Sequence, residues 1–79
     1  MNKVEIFAII SKHCHDVLGD LDGHILEYGD SLRDFGASSM DRAEVVGLTL
    51  ESIDLDIPRI KLLGVSNLGE LVELLYAEQ

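Results

Sequence analysis

Val4, Phe7, Ile10, Cys14, Val17 and Leu18 recur at three- and four-residue spacing, which predicts a first amphipathic helix. Asn2 is placed to cap it and Gly19 to stop it. The stretch 20–38 shows no period of its own, yet Leu21, Ile25, Leu32 and Phe35 are spread along it as apolar anchors. An ordered, pinned loop is therefore expected, with a short helical turn at 30–35 capped by Asp30. A second helix is expected from Met40 to Glu51, with Val45, Val46, Leu48 and Leu50 as its apolar surface. Gly47 inside it costs up to about 1 kcal/mol relative to alanine, so a packing or docking reason is expected there. Pro58 suits the first position of a short third helix carrying Ile60, Leu62 and Leu63 and ended by Gly64. Ser66 or Asn67 then caps a last helix with Leu68, Leu71, Val72 and Leu75 on one face. No alternating strand pattern, repeat or linker competes. The expected fold is an all-α bundle of three main helices and one short one, with a long first loop, in a single domain over 1–79.

Size and charge narrow the functions open to this bundle. A chain of 79 residues buries only about 60% of the surface that its unfolded form exposes. Its stability is expected near 5 kcal/mol, and a surface site or shallow groove is expected in place of a deep catalytic cleft. The formal net charge of −9 disfavours nucleic acid and suits docking onto basic patches of other proteins. The single Cys14 has no partner for an internal disulfide, which fits a reducing compartment. No apolar run approaches the ~20 residues that span a bilayer, and none has a signal-peptide layout, so a cytoplasmic protein without membrane contact is expected.

The chemistry concentrates in Phe35-Gly36-Ala37-Ser38-Ser39-Met40-Asp41-Arg42-Ala43-Glu44-Val45-Val46. A turn of small residues there brings serine to the start of a helix, where free backbone N–H groups favour a negatively charged group such as a phosphate ester. Ser38 and Asp41 have the spacing of a capping-box variant, which would occupy the Ser38 hydroxyl and leave that of Ser39 free. The run resembles the prosthetic-group attachment site of acyl carrier proteins, and Asp30-Ser31-Leu32 and Asp56-Ile57-Pro58 resemble that family's loop and its entry to the third helix. The resemblance covers essentially the whole chain. It implies a phosphopantetheine arm on Ser39, attached by a phosphopantetheinyl transferase and ending in a thiol that carries acyl groups as thioesters. The family usually places aspartate immediately before the modified serine. Here that position is Ser38, which bears on the choice of activating enzyme.

The implied role is carriage and not catalysis. Met40, Asp41, Arg42, Glu44 and Glu51 are the expected partner-contact residues: a methionine that adapts to varied pockets, carboxylates that meet basic patches, and one cation among them. Ser39 to Val46, Thr49-Leu50-Glu51-Ser52, Ile57-Pro58-Arg59 and Leu68-Gly69-Glu70-Leu71 further resemble the discrete donor carriers of polyketide beta-branching cassettes. That resemblance implies an acetyl cargo made from malonyl by an acyltransferase and a ketosynthase-like decarboxylase, and presented by a monomeric carrier to an enzyme similar to HMG-CoA synthase. Arg42 departs from generic fatty-acid carriers and would turn their enzymes away.

Other readings compete. Carriage for fatty-acid or ordinary polyketide extension shares the arm, whereas an acidic helical interaction module without a prosthetic group explains the composition but leaves the Gly36–Asp41 turn unused. His13, Cys14 and His15 point in different directions on a helix and do not make a metal site. A calcium loop around Asp20, Asp22 and Gly23 fails, because Leu18 and Gly29 would fall where ligands are required. No nucleophile-elbow pattern supports a hydrolase built on Ser39.

Overall fold

The computed structural model describes residues 1–21, 24–62 and 64–79. Three α-helices form the frame: α1 (Lys3–Val17), α2 (Ser39–Ser52) and α3 (Leu68–Glu78), with α1 lying against both of the others. Single 3₁₀ turns at Gly19–Leu21, Leu32–Phe35 and Arg59–Leu62 interrupt the connections, and the described residues include no strand. The core is a shared apolar seam. Ile6, Ile10 and Cys14 come from α1, Val45 and Leu50 from α2, and Leu68, Leu71, Val72 and Leu75 from α3, with Leu21, Leu26, Leu32 and Ala37 inserted from the long loop. Thr49 is fully buried among them because its hydroxyl donates to the Val45 carbonyl at 2.8 Å.

Asn2 caps α1 as expected, its side chain accepting from the Glu5 N–H while Glu5 reaches back to the Asn2 N–H. The helix ends at Val17 with Leu18 as its C-terminal cap, so Gly19 stands immediately past the cap, where the stop was expected. Val4 does not join the core; it is 78% exposed. At about 100° per residue it stands roughly 160° round the helix from Ile6, whose stripe with Ile10 and Cys14 wins the interior. In the loop, Ile25 is likewise exposed and its neighbour Leu26 is the anchor. The 3₁₀ turn at Leu32–Phe35 begins after Ser31, and Asp30 does not cap it. The Asp30 carboxylate instead accepts from the Glu27 N–H at 2.8 Å, closing the turn before it.

The expected third helix is reduced to one 3₁₀ turn, Arg59–Leu62, with Pro58 just outside it and Ile60 73% exposed. Among the described residues from Ile57 to Leu62, Ile57 and Leu62 pack inward while the four between them are exposed, and α3 is capped five residues later. The expectation for Leu63 lies outside the described residues, as does that for Asp22 and Gly23.

Asn67 is the cap of α3, accepting from the Glu70 N–H at 2.8 Å. Ser66 supports it differently: its N–H and hydroxyl both donate to the Glu70 carboxylate and hold that group below its ordinary pKa. The first two N–H groups of α3 are satisfied by the long loop. Leu68 donates to the Asp30 carbonyl at 2.9 Å and Gly69 to the Tyr28 carbonyl at 2.7 Å. The loop is thus docked end-on to α3 by the donors a helix start leaves free.

Cys14 is fully buried, and desolvation pushes its thiol up to about 11. Because this value is raised above that of the unfolded chain, its contribution to stability is complete below pH 9 and is lost as pH rises toward 11. Iodoacetamide at pH 8 is therefore expected to label the native chain far more slowly than the urea-unfolded chain, as read by intact mass. Equal rates would mean that Cys14 is accessible.

Candidate functional site

The start of α2 resolves the two adjacent serines. Ser38 is the cap, with extended backbone (φ −74°, ψ 170°), and its Oγ accepts from the Asp41 N–H at 3.1 Å. The Asp41 carboxylate accepts in turn from the Ser38 N–H at 3.1 Å. Both groups are spent on the helix start, as the spacing predicted. Gly36 makes the preceding turn possible with a left-handed φ of 81°. Ala37, the next residue, is buried in the core.

Ser39 is the first residue of α2 and is exposed. Its hydroxyl accepts one bond, from Arg42 Nη2 at 3.3 Å. Arg42 is half-buried, and its Nε is buried without a partner. An anion carried on Ser39 would meet a guanidinium with unused donors and the positive end of a helix at once. A phosphodiester fits the chemistry of this place: its charge would be matched by a guanidinium that still has unused donors.

A cavity of about 360 Å³ opens beside Ser39, between α2, the turn at Leu32–Phe35 and the segment leading into α3. Val45, Val46, Leu62 and Leu71 wall it, and Arg33, Arg42 and Arg59 also line it. Arg59 reaches it by crossing α2 at Gly47, where an added Cβ would stand 3.1 Å from Arg59 Nη2. A side chain at this position would require the Arg59 guanidinium to give way by a few tenths of an ångström.

The six cationic side chains divide by type. Lys3 pairs with Glu73 at 2.8 Å, Lys12 with Asp16 at 3.4 Å and Lys61 with Glu78 at 2.6 Å. None of the three arginines has a carboxylate within 4.0 Å among the described residues, and all three line the cavity. Arg33 and Arg59 were not among the expected site residues: Arg59 entered only within the Ile57-Pro58-Arg59 resemblance, and spacing along the chain brings neither beside Ser39.

The remaining expected contact residues are less uniform than their sequence suggested. Met40 is 82% exposed, and Glu44 and Glu51 are exposed, so all three are open to a partner. Asp41 is not an exposed free carboxylate: it is half-buried and held in the capping box. Arg42 points along the helix to Ser39 and makes no intrahelical ion pair among the described residues. On α1, His13 is buried and its Nε2 lies 2.7 Å from Ser52 Oγ, tying α1 to the end of α2. Among the described residues no helix is long and apolar enough to cross a membrane.

No family model matches the chain. It is similar to the polyketide biosynthesis acyl-carrier-protein AcpK of Bacillus subtilis (strain 168), with 49% identity over 76 residues that cover 96% of this chain and 93% of the relative. Its fold also matches a chain in the crystal structure of the curacin biosynthetic pathway HMG synthase in complex with acetyl donor-ACP. That match has a TM-score of 0.92 at 39% identity, over 98% of this chain and 99% of the other. The bundle, the serine-bearing start of α2 and this likeness along nearly the whole length agree: the chain belongs to the acyl carrier proteins of polyketide biosynthesis.

Proposed function

We propose that this carrier holds an acyl group on phosphopantetheine attached to Ser39 and presents it, as an acetyl group derived from malonyl, to an HMG-CoA synthase-like enzyme in polyketide beta-branching. The observation that carries the site is the division of labour between the serines: Ser38 is bonded into the helix start and Ser39 is exposed with a guanidinium beside its hydroxyl. The observation that favours the donor role is the likeness to a carrier whose structure is described as an acetyl donor in complex with an HMG synthase.

When bound, phosphopantetheine supplies a thiol on which acyl groups travel as thioesters. This chain's own residues anchor and address it. Arg42 and the first N–H groups of α2 hold a negative charge at Ser39. Met40, Glu44 and Glu51 form an exposed strip along α2 for the transferase, the acyltransferase, the decarboxylase and the synthase. Weak carboxylate-to-base pairs at such a rim favour fast exchange among these partners, and the tether raises the local concentration of cargo at each one. The carrier works in the cytoplasm, and the reactions belong to its partners.

The test is acetyl transfer from the loaded chain to a beta-keto acyl group on an acceptor carrier, catalysed by an HMG-CoA synthase-like enzyme and followed by the mass of the acceptor. Transfer well above that from a fatty-acid carrier is expected; equal transfer would favour general carriage. Arg42→Asp is expected to slow this transfer more than it slows attachment of phosphopantetheine. Equal losses in both steps would confine Arg42 to a role at the serine.

A further inference from the structure

The cavity beside Ser39 combines apolar walls with three arginines, in a chain whose net charge is −9. Fifteen acidic side chains are available, and the lysines take partners from among them within 3.4 Å. The arginines take none among the described residues. An acidic protein that leaves its arginines unpaired around one cavity presents that charge to an anion other than its own side chains.

The arginines are not equivalent. Arg42 stands at the base, 3.3 Å from Ser39 Oγ, where the phosphodiester would lie. The Arg59 guanidinium lies over Gly47, eight residues further along α2, which is about 12 Å from Ser39 at 1.5 Å per residue. Between them the cavity is walled by Val46 and Ala43. A chain tethered at Ser39 and bent back along α2 would therefore have one cation at its root and another within reach of its acyl end, whereas a fully extended arm would overshoot Arg59. A volume of about 360 Å³ is at the lower end for ligand pockets and suits a short acyl group better than a long one.

Resting on the attachment at Ser39 proposed above, we infer that Arg59 holds the free carboxylate of an acyl group that ends in one. The tethered arm folds along α2 and seats this carboxylate in the cavity. Decarboxylation removes the anchor: the bond from the α-carbon to the carboxylate breaks, CO2 leaves, and the α-carbon takes a proton. The acetyl group that remains has no charge for Arg59, so its arm leaves the cavity. The seat thus distinguishes unprocessed cargo from cargo ready for donation.

Arg59 is exposed, and an ion pair there shifts the seated-to-free equilibrium about two- to fivefold. That is enough to read by NMR. A broad-specificity phosphopantetheinyl transferase with malonyl-CoA or acetyl-CoA loads the ¹⁵N-labelled chain, and intact mass confirms one group on each. The malonyl form is expected to shift the Gly47 and Val46 amides and the Arg59 Nε–H relative to the acetyl form. The difference is expected to vanish in Arg59→Gln, to persist in Arg33→Gln and to fade in about 1 M salt, where charges are screened within roughly 3 Å. Superimposable malonyl and acetyl spectra overturn the inference, as does a difference that survives Arg59→Gln or disappears in Arg33→Gln. Absence of any mass gain instead overturns the arm on Ser39, and the seat with it.

Discussion

Ser39→Ala is expected to abolish the mass gain of one phosphopantetheinyl group when the chain is incubated with CoA, magnesium and a phosphopantetheinyl transferase. The effect is all-or-none, because the substitution removes the only oxygen that the transferred phosphorus can join at that position. Ser38→Ala is expected to load, but less stably folded, since loss of a capping hydroxyl costs about 0.5–2 kcal/mol. That cost creates an ambiguity which a second substitution removes. Ser38→Asp keeps an acceptor for the Asp41 N–H and puts the usual carboxylate of the family before Ser39. It is expected to load at least as fast as wild type, with an unchanged helical signal by circular dichroism. Loading that persists in Ser39→Ala and is lost in both Ser38 variants would move the arm to Ser38. The capping geometry would then have been the wrong guide.

A large effect on stability is expected from the smallest of changes at Gly69, in the first turn of α3. A Cβ there would stand 2.6 Å from Tyr28 Cδ2 and 2.9 Å from the Tyr28 carbonyl oxygen. The ring has some freedom to turn, but the carbonyl has little: it accepts the Gly69 N–H at 2.7 Å, so retreat breaks the bond that docks the loop on α3. The Tyr28 ring also packs against Phe7, tilted by 48° with ring centroids 5.3 Å apart, which ties the same point to α1. Gly69→Ala is therefore expected to cost about 1–3 kcal/mol. At roughly 4–8 °C per kcal/mol for a domain of this size, the thermal midpoint falls by on the order of 10 °C. Gly47→Ala makes the natural control, because its new methyl meets only the end of the flexible Arg59 side chain. A midpoint for Gly69→Ala within about 2 °C of wild type would mean that the loop is not held at Tyr28.

These two sites differ in how far the sequence disclosed them. The Ser38–Asp41 box is a local pattern, and the bonds that define it span three residues, so spacing was enough to predict it. The α3 stripe was equally readable, since Leu68, Leu71, Val72 and Leu75 are all buried where the period puts them. The errors occurred where neighbouring residues were chemically interchangeable. Val4 and Ile6 both fit a helical period, and only packing against α2 and α3 chose Ile6; Ile25 and Leu26 pose the same choice in a loop with no period at all. The third helix had a plausible start and stop, but the four described residues between Ile57 and Leu62 are exposed. Gly69 and the arginine-lined cavity depend on contacts between distant segments, and neither leaves a trace in spacing along the chain.

The division between lysine and arginine has a consequence for the lifetime of a thioester. A thioester is an acyl donor to any free amine that reaches it, and the amide formed is not returned. A lysine loses its proton easily enough in an apolar site to become such a nucleophile, whereas a guanidinium remains protonated and inert. Among the described residues no lysine lines the cavity beside Ser39, and each of the three lysines is engaged by a carboxylate. Drawing the cavity's positive charge from arginine alone would let a carrier loaded at Ser39, as proposed above, attract anions there without offering its own cargo a place to be trapped.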